Sequence, residues 1–395
     1  MSNLSVSPFS RRSFLHLSAA ASAATAFRVM NEPLLAAMQF AAIPDGAVAI
    51  DKNENPLGPS QGAREAITAI IPRSGRYLMP LTEQLVETFA QMEGLKSDHI
   101  DVFPGSSTPL YAAVVSYTSP QKSYVTADPG YEAGMFASAV SGARVVKVPL
   151  TKNYAHDVRA MLAAGPDAGL FYVCTPNNPT GTLTSHSDIE YLVENKPKGS
   201  LVMVDEAYIH FADATSVLDL VKAGKDIIVL RTFSKIYGLA GLRCGFAIGR
   251  PDLLTQITNR CGETYMPVTA IVAASASLKD PQLVTERKKI NAGVRQETFA
   301  WLDSNGYSYI PSESNCFLLE TKRAGKDVIK AMAAQNVYIG RVWPVMPTCV
   351  RITVGTRPEM ETFRAAFQKV MTNAVAFYFG EGPPQTSRRR SRLIS

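Results

Sequence analysis

Short runs of apolar, β-forming residues alternate with helix-like stretches from about residue 100 onward. The apolar runs predict strands at residues 124–127, 144–148, 169–174, 201–204, 227–232 and 245–248, and the stretches between them predict helices such as 109–117, 132–140 and 188–194. Nearly continuous apolar strands separated by helices are typical of a mostly parallel sheet covered on both faces. We therefore predict an α/β fold in which ligands bind at the carboxyl ends of the strands.

A smaller α+β domain is predicted toward the C-terminus. It is expected to follow a long linking helix at 283–305 and to hold strands at 315–320 and 350–354, a helix near 326–335 and a final helix from residue 359. Residues 45–100 are expected to return and pack beside it. The predicted division is a signal segment at 1–26, an arm with part of the small domain at 27–100, a large domain at 101–282, the linking helix and small domain at 283–375, and a basic tail at 376–395.

The composition excludes several classes of protein. Of 395 residues, 46% are apolar, which excludes a disordered or low-complexity chain, and no apolar run reaches the roughly 20 residues that a membrane span requires. The net charge of +6 is carried by six arginines near the two ends: Arg11, Arg12, Arg388, Arg389, Arg390 and Arg392. The neutral body argues against a nucleic-acid partner. Five cysteines without a CxxC pair predict buried thiols rather than a disulfide framework, and no metal site is predicted.

The first 26 residues have the pattern of an export signal. The pair Arg11-Arg12, followed by Phe14-Leu15, precedes a weakly apolar, alanine-rich run and a small-x-small site that ends at Ala26. Paired arginines in this position resemble a twin-arginine signal, which predicts a periplasmic or otherwise exported protein. The alternative is an amphipathic start of the fold in a cytoplasmic protein.

A lysine directly after a predicted strand is the centre of the candidate chemistry. Lys235 follows the run 227–232 and precedes a glycine-containing loop that ends in Leu242-Arg243-Cys244-Gly245. A lysine amine whose pKa is lowered by partial burial can form a Schiff base with an aldehyde cofactor. The alternative for this residue alone is an ordinary surface lysine past a strand.

Other polar residues fall at neighbouring strand ends. Asp205 ends an apolar run, and a buried carboxylate requires a cationic partner such as a protonated pyridine nitrogen, whose charge makes the ring an electron sink. Asn178, which lies in a proline-rich loop, and Tyr208, three residues after Asp205, are expected to donate to the ring's phenolate oxygen. Tyr131 offers a flat aromatic ring for stacking on the cofactor.

A phosphate cup is predicted at the start of a helix. Ser106 and Ser107 lie in a GSST sequence that opens the helix predicted at 109–117, where free backbone N–H groups favour an anion. Thr232, Ser234 and Arg243 are expected to complete this cup.

Together these motifs resemble the histidinol-phosphate aminotransferase family, which belongs to fold type I of the pyridoxal-phosphate enzymes. The resemblance covers residues 47–372 and is carried by NENPLGPS at 53–60, NNPTG at 177–181, DEAY at 205–208, SK…GLAGLRCGF at 234–246 and RITVGT at 351–356. It implies pyridoxal 5'-phosphate as cofactor and a large domain joined to a smaller α+β domain. It also implies a homodimer, because Tyr77 resembles the family tyrosine that reaches the cofactor phosphate of the neighbouring subunit.

The resemblance also implies residue roles. Lys235 would be the Schiff-base lysine and proton shuttle, Asp205 the partner of the pyridine nitrogen, and Tyr208 and Asn178 the partners of the ring oxygen. Arg351 would clamp the substrate α-carboxylate, with a strand salt bridge as the alternative role. The expected substrate contacts are Arg351, Asn178 and Arg341, the last of which would touch the distal group or the phosphate of the substrate.

The stretches 263–268 and 340–344 depart from the usual family pattern at the substrate end of the pocket. Trp343 and Tyr265 could therefore floor a pocket for an aromatic or imidazole side chain, unless they pack in the core. The expected activity is transfer of an amino group from histidinol phosphate or an aromatic amino acid to a 2-oxo acid such as 2-oxoglutarate. The alternatives are an amino-acid decarboxylase or oxidase on the same fold, a non-catalytic binding protein, and a structural periplasmic protein.

Overall fold

A seven-stranded sheet organises the larger part of the molecule in the computed structural model, which describes residues 43–262 and 265–379. In spatial order the strands are β2 (Ile100–Phe103), β8 (Gly245–Gly249), β7 (Ile227–Thr232), β6 (Leu201–Asp205), β5 (Ala168–Cys174), β3 (Ser123–Asp128) and β4 (Val145–Pro149). Only β8 runs antiparallel to its neighbours, and the remaining strands of the sheet run in one direction. The predicted α/β fold with a mostly parallel sheet is confirmed.

Helices flank this sheet along the chain: α1 (Gln61–Ile70), α2 (Pro80–Glu93), α3 (Ser107–Tyr117), α4 (Ala133–Ser141), α5 (Val158–Ala164), α6 (His186–Asn195), α7 (Leu218–Lys222), α8 (Pro251–Cys261) and α9 (Val268–Leu278). Every residue of β5, β6, β7 and β8 is buried, as expected for strands covered on both faces. The predicted strands agree with the observed ones within about one residue at each end. The edge strand β2 was not predicted, because its half-buried sequence IDVF lacks the apolar run of the central strands.

A second hydrophobic core lies toward the C-terminus. It is built from α10 (Leu283–Ser304), β9 (Cys316–Glu320), α11 (Gly325–Ala333), β10 (Val337–Ile339), β11 (Cys349–Thr353) and α12 (Arg357–Phe379), which confirms the helices and strands predicted there. β9 pairs antiparallel with β11, and β10 pairs in parallel with the N-terminal strand β1 (Val48–Ile50). The domain boundaries themselves stay a prediction.

The prediction that residues 45–100 pack beside the smaller domain is wrong for most of this segment. Only β1 joins the second core, whereas α1 and α2 pack against α9. Their buried side chains, Ala63, Leu85 and Phe89, belong to the core of the large sheet. The small side chains of α9, such as Ala270 and Ala274, are fully buried and let these helices approach closely.

Several predictions fall partly or wholly outside the described residues. The signal at 1–26 lies outside them, as do most of the basic tail and, from the substrate-end stretch, Glu263 and Thr264. Within the described ranges, every helix is too short or too polar to cross a lipid bilayer, and no cluster of His, Cys, Asp and Glu has the arrangement of a metal site. The five cysteines are free thiols, and all but Cys261 are buried.

Candidate functional site

Three parallel strands deliver the central candidate residues to one edge of the sheet. Asp205 is the last residue of β6, and it lies in register with Cys174 at the end of β5. Lys235 follows the end of β7, which is the next strand. Asn178 lies in the buried loop after β5. The carboxyl ends of adjacent parallel strands meet at the same edge, so the predicted convergence of these residues is observed.

The ammonium group of Lys235 is held by the N-terminal arm. Its Nζ donates to the carbonyl oxygen of Asn53 at 3.0 Å and to that of Lys52 at 3.5 Å, and it lies 5.4 Å from the ring centroid of Tyr208. Burial, assisted by the positive charge of Arg351, lowers the pKa of Lys235 to about 8. About a tenth of this amine is therefore neutral and nucleophilic at pH 7, far more than for an ordinary lysine with a pKa near 10.5.

The carboxylate of Asp205 is buried and held by two neutral donors. Tyr172 donates its hydroxyl proton to Oδ2 at 2.8 Å, and the backbone N–H of Ala207 donates to Oδ1 at 3.0 Å. Burial raises the pKa of Asp205 to about 6. Among the described residues no cation lies within salt-bridge distance of this carboxylate, so a cationic group placed at it would relieve the cost of its burial.

Asn53 joins three parts of the chain at this site. It is fully buried with φ of 55°, and its Nδ2 donates to the hydroxyl of Tyr208 and to the thiol of Cys316, each at 3.1 Å. Its Oδ1 accepts from the hydroxyl of Thr353 at 3.1 Å. Because the hydroxyl of Tyr208 accepts the amide proton, its own proton remains for a partner such as a ring oxygen.

Arg351 and Asn178 form one unit across the two cores. The Arg351 Nη1 donates to Asn178 Oδ1 at 2.9 Å, and Nη2 donates to the backbone oxygen of Asp51 at 2.6 Å. The Nε of Arg351 is buried without a hydrogen-bond partner in the described part of the chain. Asn178 therefore keeps its NH₂ group for another acceptor, and Arg351 offers an unused donor to an anion. No carboxylate side chain of the described residues bridges to Arg351, so the alternative role of a strand salt bridge is not observed.

The predicted phosphate residues lie together at the start of α3. Thr232 Oγ1 and Ser234 Oγ are 2.9 Å apart, and Arg243 Nη1 donates to Ser234 Oγ at 3.3 Å. Ser106 directly precedes α3 as its N-cap residue, and its side chain does not cap the helix. Hydroxyls, a guanidinium and the first N–H groups of a helix are donors that suit a phosphate.

Glycines let these elements approach one another. Gly105 has φ of 82°, and a Cβ there would lie 2.1 Å from Nη2 of Arg243. A Cβ on Gly245 would lie 2.9 Å from the backbone nitrogen of Ser106. Larger side chains at either position would therefore push Arg243 or the start of α3 away from the cluster.

Tyr131 lies beside the same cluster, because its hydroxyl is 3.3 Å from the hydroxyl of Ser107. Burial raises the pKa of Tyr131, which keeps the phenol neutral. This position is compatible with the predicted stacking role, which stays a prediction.

Arg341 is engaged with the protein itself. Its Nη2 bonds to the carboxylate of Glu132, and its guanidinium lies 4.7 Å from the ring centroid of Trp343. Trp343 is buried and donates from Nε1 to the backbone oxygen of Gly130 at 3.0 Å. Of the two alternatives for Trp343, core packing is the one observed, because the indole lies in a buried cluster beneath the guanidinium of Arg341, with that of Arg351 at 5.7 Å from its ring centroid.

Tyr77 and Tyr265 form a pair on the surface. Their ring centroids are 4.7 Å apart, and Tyr77 is 70% exposed while Tyr265 is 49% exposed. Both rings are open to solvent within this chain, and the expected roles of Tyr77 and Tyr265 stay predictions.

Three residues at the site were missed by sequence reasoning. Tyr172 was missed because it lies within an otherwise apolar strand, and Glu132 was missed because a carboxylate at a helix start is ordinary. Asn53 lies inside the NENPLGPS stretch, and its partner Thr353 is 300 residues away. The position of Asn53 within a recognised stretch was the one available signal.

The site has a chemically complementary group for each part of an aromatic aldehyde phosphate. The Lys235 amine suits an aldehyde, the Asp205 carboxylate suits a protonated ring nitrogen, and Asn178 and Tyr208 have free donors for a ring oxygen. The cluster at the start of α3 suits the phosphate. The residues present therefore fit the group that the resemblance implies.

Comparisons with known proteins agree with this geometry. Residues 47–367 match the family model described as aminotransferase class I and II. The chain is 34% identical over 332 residues to the histidinol-phosphate aminotransferase of Moorella thermoacetica, covering 82% of this chain and 85% of that one. It is 31% identical over 319 residues to the aromatic amino acid aminotransferase of Cutibacterium acnes, covering 80% and 90% of the two chains. A crystal structure of histidinol-phosphate aminotransferase from Sinorhizobium meliloti in complex with pyridoxal-5'-phosphate superposes with a TM-score of 0.75 at 26% identity, covering 83% of this chain and 92% of that one.

Proposed function

Because this chain belongs to the class I and II aminotransferases, we propose that it transfers an amino group from histidinol phosphate or an aromatic amino acid to a 2-oxo acid such as 2-oxoglutarate. It is a pyridoxal-phosphate-dependent aminotransferase of fold type I. The observation that carries the assignment of its centre is the amine of Lys235, with its pKa lowered to about 8, beside the buried carboxylate of Asp205.

Each residue of the centre has a defined task. Bound pyridoxal phosphate supplies an aldehyde that condenses with amines and a ring that accepts electrons from a bond at the substrate Cα. Lys235 Nζ would hold the cofactor through its aldehyde group, and as a free amine it would be the base that moves the proton of the substrate Cα. The carbonyl oxygen of Asn53 holds the freed amine close by, and Asp205 keeps a proton on the ring nitrogen.

Arg351 orients the substrate in this proposal. Its unpaired Nε and its Nη1, which now donates to Asn178, can bind a carboxylate, and the bond to Asp51 fixes the guanidinium. Holding the α-carboxylate places the Cα–H bond, rather than the bond to the carboxylate, next to Lys235. This arrangement favours transamination over decarboxylation.

The pairing of Arg341 bears on the choice of amino donor. Its charge is balanced by Glu132, and its planar face rests on Trp343. A paired arginine has less net charge to offer a phosphate than a free one has. Among the proposed donors we therefore favour an aromatic amino acid over histidinol phosphate.

A single-turnover assay with a panel of donors tests this proposal. The cofactor-loaded protein is mixed with Phe, Tyr, His or histidinol phosphate, and we expect its absorbance to convert to the pyridoxamine form fastest with Phe or Tyr. One equivalent of oxo acid should appear, without carbon dioxide release or oxygen uptake. Carbon dioxide release without oxo acid would instead establish the decarboxylase, and oxygen uptake would establish the oxidase.

Replacing Arg351 by lysine is expected to weaken substrate recognition. Lysine keeps the charge but loses the planar, bidentate geometry, at a cost of about 1.5–3 kcal/mol, which corresponds to a roughly 10- to 100-fold fall in kcat/KM. Most of this loss should be a higher KM for both amino acid and oxo acid, measured in steady-state kinetics. The matched control is Arg357→Lys at an exposed ion pair with Glu297, which should leave the kinetics unchanged. Equal kinetics for the Arg351 variant and the control would remove Arg351 from the substrate site.

We propose that the protein is a homodimer. Its support is the exposed pair of Tyr77 and Tyr265, together with the exposed apolar side chains of Ile71 and Met79 close by in sequence, which a second copy of the chain could cover. Sedimentation equilibrium should give twice the chain mass, and a monomeric mass at micromolar concentration would contradict the proposal.

We also propose export through the twin-arginine route into the periplasm. The family match begins at residue 47, so the paired arginines and the apolar run lie before it. Replacing Arg11 and Arg12 by lysine should retain the protein in the cytoplasm, as measured by cell fractionation. An unchanged periplasmic fraction in this variant would favour another export route. Absence of the wild-type protein from the periplasm would favour the cytoplasmic alternative.

A further inference from the structure

We propose that Tyr172 is a positioning residue, which holds the Asp205 carboxylate in its ionised form and fixes its orientation toward the cofactor's ring nitrogen. This inference rests on the proposed pairing of Asp205 with that nitrogen. Tyr172 lies on β5 and touches neither the substrate nor the reacting atoms, so it acts through Asp205.

The positions of Tyr172 and Asp205 on adjacent strands bring their side chains into hydrogen-bond contact, with Tyr172 as the donor. Tyr172 lies two residues before Cys174 on β5, and Cys174 pairs in register with Asp205 on β6. Side chains alternate along a strand, so Tyr172 and Cys174 point to the same face of the sheet. From there the phenol reaches Asp205 Oδ2 at 2.8 Å. An ionised carboxylate only accepts, so the hydroxyl of Tyr172 is the donor.

Two donors fix the carboxylate from different sides. Tyr172 occupies Oδ2, and the backbone N–H of Ala207 occupies Oδ1. Each oxygen retains a second lone-pair direction, which leaves room for one further N–H donor. The carboxylate is thus oriented before any cofactor arrives, which reduces the ordering cost of binding.

The charged surroundings make this hydrogen bond important. Burial disfavours the ionised form of Asp205, and the bond from Tyr172 is the strongest contribution that opposes burial and lowers the pKa. The other titratable groups that interact with Asp205 include one cation, one carboxylate and three neutral groups: Lys235, Glu206, Cys174, Tyr124 and Tyr131. Glu206 is an ionised carboxylate paired with Arg231 at 2.7 Å and has no proton to donate, so it cannot replace the Tyr172 donor.

Removing the hydroxyl therefore has a specific chemical consequence. A carboxylate without its Tyr172 donor is a stronger base, and it draws the shared proton away from the ring nitrogen toward its own oxygen. The ring nitrogen becomes less positively charged, and its attraction to Asp205 falls. Both cofactor affinity and the protonation of the ring should change.

The experiment compares Tyr172→Phe with the matched control Tyr124→Phe. Tyr124 is also fully buried, its ring centroid is 6.3 Å from that of Tyr172, and its hydroxyl has no hydrogen-bond partner within the described chain. Both variants delete one buried hydroxyl from the same core. Only one of them removes a donor from Asp205.

Two measurements that do not depend on activity give the result. The dissociation constant of pyridoxal phosphate, measured by equilibrium dialysis, should rise about 10- to 100-fold in Tyr172→Phe and remain within about twofold in Tyr124→Phe. The ¹⁵N resonance of ¹⁵N-labelled cofactor should move from the pyridinium position toward the neutral pyridine position in Tyr172→Phe alone.

Each other outcome overturns the inference. Wild-type values in Tyr172→Phe would mean that the hydroxyl does not position Asp205. Equal losses in both variants, with an unchanged ¹⁵N resonance, would mean that the effect is one of packing. If Tyr172→Phe does not fold, Tyr172→His provides a second test, because a ring N–H that reaches Asp205 should preserve the pyridinium resonance of the bound cofactor, and a neutral pyridine resonance there would contradict the inference. Failure of the proposed function itself is distinguishable, because the wild-type protein would then show no pyridinium resonance.

Discussion

Turnover by the Lys235→Ala protein is expected to fall by at least about three orders of magnitude, whereas cofactor binding persists. General acid–base catalysis by a positioned side chain contributes about 10²- to 10⁴-fold, and loss of the covalent link to the cofactor adds to this. The phosphate cluster and Asp205 remain in place, so the cofactor should stay bound without a covalent bond. Borohydride reduction followed by mass spectrometry should find the adduct on Lys235 in the wild type and on no lysine in the variant.

The control for this variant is Lys225→Ala, which removes a surface lysine paired with Glu194 at 3.2 Å. It should retain both the adduct and normal turnover. An external amine such as methylamine should restore part of the activity of Lys235→Ala, because it can carry the same proton. Near-normal turnover of Lys235→Ala without added amine would remove this lysine from the mechanism.

The Asp205→Asn protein is expected to lose most of its activity and to bind cofactor more weakly. An amide carries no negative charge to keep the ring nitrogen protonated, so the ring is a poorer electron sink. We expect the dissociation constant of the cofactor to rise at least about tenfold and kcat to fall by at least about 10²-fold. Absorbance titration and steady-state kinetics measure these two quantities.

The same variant should change how the stability of the cofactor-free protein depends on pH. The pKa of Asp205 is raised to about 6 in the folded chain from an ordinary value of 3.8, so the folded state binds this proton more tightly than the unfolded state does. The contribution of this group to stability is therefore present below about pH 4 and lost as the pH rises through about 6, by up to about 3 kcal/mol. Urea unfolding between pH 4 and 7 should show this decline in the wild type and a smaller one in Asp205→Asn. Identical profiles would mean that Asp205 titrates normally.

The sequence predicted best what is encoded in contiguous stretches. The strands that are buried on both faces carry unbroken apolar runs, and Asp205 and Lys235 follow directly from their position at the ends of two such runs. The cluster of Ser106, Thr232, Ser234 and Arg243 was predicted from hydroxyls and an arginine near a helix start. In these cases the residues that define the site are adjacent in sequence to the strand or helix that positions them, so the local sequence was enough to predict them.

Features that depend on contacts distant in sequence were predicted poorly. Tyr172 was missed because an aromatic residue in a strand is ordinarily read as core, and only its 2.8 Å contact with a residue on the next strand shows otherwise. The place of α1 and α2 depends on the small side chains of α9, about 200 residues later in the chain. The sequence left Trp343 open between a pocket floor and the core, and the choice depends on a hydrogen bond from its indole to Gly130, more than 200 residues earlier in the chain.

The stretch from β1 to Asn55 places a limit on how the N-terminus can be processed. Residues 48–50 complete a sheet with β10, and residues 51–55 provide the oxygen atoms that hold Arg351 and Lys235, together with an amide that anchors the loop after Lys235 at Ile236. A peptidase that cleaves after Ala26 would leave all of these contacts intact. Cleavage a few residues past position 47 would instead dismantle one wall of the catalytic centre, so any cut compatible with this centre must fall before β1.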